Sequence, residues 1–126
     1  MNNGDFQLRP AQPDDFQAVF ALIIAHDVAV LGFPDYTEDD LHADWEKPRF
    51  DLATDAWVAT TAQGRLVGYG EVWWREPHVR ISSDFYARPG LGEPLEQAVN
   101  AALFARAQTR VQELVAATPA GTAVKI

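Results

Sequence analysis

The 126-residue sequence predicts an α+β domain, a mixed and mostly antiparallel sheet with helices packed on it. Strand-like runs are segregated, three of them in succession over residues 55–87, while helical periodicity occupies residues 13–45 and 93–117 on either side. The tail TAVKI then supplies one more strand. A right-handed crossover through the last helix brings it back parallel to the strand before that helix.

FQLRPA (6–11) alternates apolar and polar residues and ends at Pro10, as a first strand does. Gln12-Pro13-Asp14-Asp15 puts proline and two acids at a helix start, where the dipole favours negative charge. Phe16, Val19, Phe20 and Ile23 repeat at helical spacing, so this helix runs to about Val30. Gly32-Phe33-Pro34 breaks it. Thr37-Glu38-Asp39-Asp40 then caps a shorter helix that carries Leu41 and Trp45 and closes at Lys47-Pro48. The intervening LGFPDY either lines a substrate mouth or packs Phe33 and Tyr36 onto the core.

DAWVATTAQ (55–63) and RLVGYGEVWW (65–74) are β-rich runs joined at Gln63-Gly64, a hairpin pattern. HVRISSDFYA (78–87) follows the Glu76-Pro77 break and completes an antiparallel meander. From Glu93, the spacing of Leu95, Val99, Leu103, Val111 and Leu114 is helical.

The composition narrows the function. A formal charge of −8 repels nucleic acid and anionic membrane surfaces, so neither is expected as a partner. The absence of cysteine removes disulfides, thiolate zinc sites and thiol nucleophiles. His26, His42 and His78 lack carboxylate or histidine partners at metal-ligand spacing, so no metal is expected. Ser82-Ser83 lie in a strand without a nucleophile elbow. The amino terminus lacks signal-peptide layout and the longest apolar stretch, AVFALIIA, is too short for a bilayer, so a cytoplasmic location is expected. Two lysines stand against eight arginines.

In order along the chain, FQLRPAQPDDFQAVFALI, WVATTAQGRLVGYGEV, VRISSDFYA and RPGLGEPLEQAVNAALFARA resemble the GNAT superfamily of acyl-CoA-dependent N-acyltransferases. The resemblance implies one GNAT-like domain over residues 1–126, apparently lacking the family's C-terminal helix and strands. The expected explanations are a fragment, one half of a tandem protein, or a homodimer that completes the sheet. It implies acetyl-CoA as co-substrate, an unidentified amine as acceptor, and direct acyl transfer without a covalent enzyme intermediate.

By the same resemblance, Arg88, Gly90, Leu91 and Gly92 form the phosphate cradle, through N–H groups at a helix start. The backbone of Phe85, Tyr86 and Ala87 pairs with the pantetheine arm. Two departures stand beside this. Position 87 is Ala, where the family places Gln or Arg, with the arginine one place later; Glu93 and Pro94 follow the glycines, bringing a negative charge and a missing donor. The alternative is a helix start without a ligand.

Acyl transfer to an amine needs a base for the ammonium proton. Glu71 and Asp84 are the candidates, each near the expected opening of the sheet and each acting through water; the alternative for both is a surface carboxylate. Beside the enzyme reading stands a second one, a non-catalytic GNAT-like half that binds CoA or serves structurally in a tandem or dimeric assembly.

Overall fold

The computed structural model describes residues 6–75, 79–117 and 124–125. Glu76, Pro77, His78 and most of the TAVKI tail lie outside the described residues.

Strand β1 (Phe6–Pro10) leads through a 3-10 turn at Pro13–Asp15 into helix α1 (Phe16–Leu31). The turn is fixed by a capping box: Asp15 accepts from the Gln12 N–H at 2.8 Å, and its carboxylate is clamped by both terminal nitrogens of Arg9 at 2.8 Å. The Arg9 bond, opposed by burial, holds the Asp15 carboxyl below the ordinary carboxylate range. Helix α1 ends at Gly32, whose φ of 86° is the left-handed cap that glycine adopts without strain. Helix α2 (Glu38–Trp45) opens with the reciprocal Thr37/Asp40 capping box that its sequence predicts.

A short helix, α3 (Leu52–Asp55), precedes strand β2 (Ala56–Thr61) and was not expected. Its Asp51 cap accepts from the Ala53 N–H at 2.9 Å, and Asp55 pairs with Arg110 at 2.7 Å. Four residues are too few for a periodic signal. Strand β3 (Leu66–Arg75), strand β4 (Val79–Ala87), helix α4 (Glu93–Ala117) and strand β5 (Val124–Lys125) follow.

The sheet order is β1-β2-β3-β4-β5, antiparallel until β5, which lies parallel to β4. This is the mixed, mostly antiparallel α+β architecture the sequence predicts. Among the described residues β5 pairs with Val79 and Arg80, and none pairs with the outer edge of β4 from Ile81 to Ala87.

The two faces of the sheet are covered differently. On one, Val99, Leu103 and Ala107 of α4 pack over Ala59, Val67, Val72 and Trp57. Each fully buried valine or leucine contributes about 1.5–3 kcal/mol. Gly68 and Gly70 make the close approach possible, since a Cβ on Gly68 would stand 2.6 Å from Val99 Cγ1. On the other face, α1 and α2 cover Ala56, Val58, Leu66 and Tyr69 with Val19, Leu22, Ile23 and Leu41. Trp74 packs with Trp57 and Val72 on the α4 side, while Trp73 donates its indole N–H to the Pro48 carbonyl at 3.0 Å. The pair therefore divides between the faces, as strand alternation requires.

Candidate active site

Alternation along β3 sends Tyr69, Glu71 and Trp73 toward α1 and α2, and the antiparallel register sets Tyr86 opposite Tyr69 and Asp84 opposite Glu71. Ionisable side chains thus share one patch of sheet with the helix pair above. Glu71 is only 7% exposed, which corrects the surface-carboxylate alternative. Both of its oxygens are engaged: Oε1 accepts from the Tyr69 hydroxyl at 2.8 Å, and Oε2 from the Lys47 ammonium at 2.9 Å. The Tyr69 oxygen in turn accepts from Trp45 Nε1 at 3.0 Å.

Burial pushes the Glu71 carboxyl above its ordinary range, against the opposing pull of Lys47 and Tyr69. Burial likewise raises the phenols. Tyr69 is held well above the ordinary tyrosine value by burial and by the Glu71 charge. Tyr36 is raised by burial and by its hydrogen bond to Asp44, and Tyr86 is pushed up to about 12, mainly by burial. These are all three tyrosines of the chain. Each remains a neutral donor at physiological pH.

Lys47 leaves the end of α2 and lays its ammonium between two aromatic faces, 4.5 Å from the Trp73 ring centre and 4.8 Å from that of Phe50. Asp84, by contrast, is exposed. The structure therefore places the two candidate carboxylates side by side across a strand pair, one sealed and one open. His26 lies edge-on to the Tyr86 ring at 5.1 Å, and His42 stacks on Phe16 at 4.1 Å.

The linker between α1 and α2 divides. Tyr36 packs onto the core, its N–H and that of Asp35 bonding to Asp27, whereas Phe33 is 55% exposed. Sequence reasoning singled out Tyr36 in the linker but missed Lys47, Asp44 and Tyr69 as members of this cluster; Lys47 and Tyr69 meet partners 24 residues away in the chain. One available signal was composition: lysine occurs twice, and one of the two sits among aromatic residues at the end of α2.

At the glycine turn, Gly90 and Gly92 have φ of 86° and 91°, and nothing lies within 4 Å of where a Cβ would stand at either. These are left-handed positions in open space, which is what lets a backbone present its N–H groups to a ligand. The first helical bond of α4 runs from the Glu96 N–H to the Gly92 carbonyl at 3.0 Å. Arg88 is tied back to the sheet, its backbone N–H on the Val67 carbonyl at 2.8 Å and its Nε on the Leu66 carbonyl at 3.1 Å. Leu91 packs against the α4-side core. The Glu93 carboxylate accepts from Gln97 Nε2 at 3.0 Å, along the helix surface. Phe85 points to α4, against Phe104, and Ala87 is buried. The turn continues directly from the end of β4, so Phe85 to Gly92 form one stretch from the strand to the start of α4.

Among the described residues no group of three or more histidine, cysteine or acidic side chains forms a metal cluster, and no helix is long and apolar enough to cross a membrane.

No family model matches the sequence, and no curated protein matches it. Solved structures do. A GCN5-related N-acetyltransferase from Sphaerobacter thermophilus is 25% identical and superposes with a TM-score of 0.76, covering 92% of this chain and 35% of its own. One from Kribbella flavida is 19% identical with a TM-score of 0.59, covering 86% of this chain and 68% of its own. The Saccharomyces cerevisiae N-myristoyltransferase, solved with bound myristoyl-CoA, is 14% identical with a TM-score of 0.61, covering 86% of this chain and 27% of its own. With β4 and β5 parallel beside a meander, these neighbours define the class. The chain is a GNAT-fold domain. It spans about a third of the length of the Sphaerobacter protein.

Proposed function

We propose that residues 1–126 act as one acyl-CoA-dependent N-acyltransferase domain that carries acetyl from acetyl-CoA to an amine. The observation that carries this reading is the edge of β4, unpaired among the described residues from Ile81 to Ala87, running into the Gly90–Gly92 turn, within a fold shared with acyltransferases. In this reading the amide-rich pantetheine arm pairs with the backbone of Phe85, Tyr86 and Ala87 as an added strand. The N–H groups around Gly90, Leu91 and Gly92 take the diphosphate at the start of α4, and Arg88 adds a cation beside them.

Asp84 is the carboxylate with access to an incoming amine, and it takes the ammonium proton through water. Glu71, with both oxygens engaged, acts from beneath it. After attack on the thioester carbonyl, the departing thiolate needs a proton, and in this reading the neutral Tyr86 phenol on the same face supplies it. Calorimetric titration with acetyl-CoA, followed by thiol release with a panel of primary amines, tests the reading. Absence of saturable binding by the folded chain would sink it.

A second reading, a non-catalytic half that binds CoA or supports a tandem or homodimeric assembly, is favoured by the saturation of Glu71. Binding without thiol release, together with a molar mass twice that of the chain, would select it.

A further inference from the structure

The cation beneath the proposed acceptor site is unusual for this chain. Arginine outnumbers lysine eight to two, yet the position that sits between two aromatic rings on a buried carboxylate is lysine. A guanidinium stacks on aromatic faces and forks onto carboxylates better than an ammonium does. What lysine alone supplies is a primary amine that becomes a nucleophile once a proton is removed.

The surroundings of Lys47 supply what that chemistry requires. Its Nζ stands 2.9 Å from Glu71 Oε2, within direct proton-transfer distance. It lies over the ring of Trp73, so it is placed above the rows where Glu71 pairs with Asp84 and Trp73 with Ser82. Among the described residues those rows lie past Arg80, the last β4 residue paired with β5. One strand spacing of about 4.8 Å separates β3 from β4, a distance that the four-carbon stem of a lysine spans by rotation.

Resting on the acyl-CoA reading above, we infer that Lys47 is a self-acylation site, the amine to which this domain transfers an acyl group from its own bound thioester. The step balances. The Lys47 ammonium passes one proton to Glu71, and the freed lone pair attacks the thioester carbonyl carbon. The carbon–sulfur bond breaks as the carbon–nitrogen bond forms. The thiolate leaves with the electron pair and takes the second proton that the nitrogen sheds in becoming an amide. Acylation removes the cation from Glu71 and frees one of its oxygens.

The two-lysine composition makes the test direct. The folded chain is incubated with acetyl-CoA, its intact mass is followed, and peptide mapping compares Lys47 with Lys125; binding of acetyl-CoA is measured on the same sample. The expected result is one added acetyl group, at Lys47 at least tenfold faster than at Lys125, lost when the chain is denatured in urea before incubation. Glu71→Gln is expected to slow it by at least tenfold. Lys47→Arg, which keeps the cation, is expected to bind acetyl-CoA and remain unmodified. Equal labelling of both lysines, or labelling that survives denaturation, overturns the inference. Saturable binding without modification overturns it while leaving the acyl-CoA reading intact, and no binding overturns both.

Discussion

The two faces of the sheet are built on opposite principles. Beneath α4 the contact is apolar and close, and two glycines remove side chains so that Val99 and Leu103 can settle onto the strands. Beneath α1 and α2 the same strands carry Tyr69 and Glu71, joined to Trp45 and Lys47 by hydrogen bonds and ion pairing, with Tyr86 against the His26 ring beside them. A buried ion pair is a poor way to gain stability compared with apolar packing of the same volume. The α4 side has an ion pair of its own, Arg110 with the buried Asp55 at 2.7 Å, but among the described residues only under α1 and α2 is the paired carboxylate, Glu71, also bonded to a buried phenol and set beside the exposed Asp84. That combination marks this side as the one where chemistry, rather than cohesion, sets the residues.

The largest effect expected from breaking this contrast is on the polar face. Glu71→Ala leaves the Lys47 ammonium buried without its counter-ion and is expected to destabilise the chain by about 3–5 kcal/mol. Replacing both partners, Glu71→Leu with Lys47→Met, should restore most of that stability while leaving acetyl transfer impaired. Denaturant midpoints and thiol-release rates on the same variants check both halves. Recovery of activity along with stability would mean that the polar face is only a scaffold.

On the α4 face the reverse is expected. Gly68→Ala drives a methyl against Val99, Ala59 and Leu103, with the nearest atom at 2.6 Å, and should cost about 1–3 kcal/mol. The folded fraction should bind acetyl-CoA as before, since the added methyl lies on the α4 face while Ala87, which pairs with Gly68, keeps its outward backbone groups and the Gly90–Gly92 turn is untouched. A weakened affinity at full folding, seen by calorimetry, would show that the two faces are coupled through β3.

A third effect belongs to the tyrosines. A phenol whose native pKa is raised keeps its proton in the folded chain at pH values where the unfolded chain has lost it. Stability should then fall as pH rises above the ordinary tyrosine value of 10.0, toward about 12 for Tyr86. Its share is on the order of 1 kcal/mol once its partial exposure is allowed for. Spectrophotometric titration should show no tyrosinate before unfolding and then a single cooperative rise. A phenol ionising in the native chain would remove one member from the buried set, and single Tyr→Phe variants would say which.

Most of the architecture was legible because it rests on local chemistry. Thr37 and Asp40 form their capping box within one turn, Gly64 closes a hairpin between adjacent strands, and the periodicity of Val99 and Leu103 survives in α4. The site was legible only in part. Glu71 and Asp84 could be picked out as carboxylates on neighbouring strands. Nothing local showed that Lys47, 24 residues earlier, would close over the first and leave the second open. Likewise Arg88 was readable as a cation next to the turn. That its backbone N–H and Nε would be occupied by β3 carbonyls depends on a strand pairing 22 residues away in sequence.

The smallest effect concerns the turn itself, and it separates its two readings. Glu93 opens α4, where a negative charge stabilises the helix, and its carboxylate is occupied by Gln97. In the absence of ligand, Glu93→Ala should therefore lower stability slightly, by about 0.3–1 kcal/mol. If a diphosphate lies on the Gly90–Gly92 backbone, the same change removes a like charge beside it and tightens CoA about twofold to fivefold, an exposed-pair effect that shrinks with added salt. The two consequences have opposite signs, so a single variant measured with and without CoA distinguishes them. A loss of stability with unchanged affinity at low and high salt would place the diphosphate elsewhere and leave the glycines as a junction between β4 and α4.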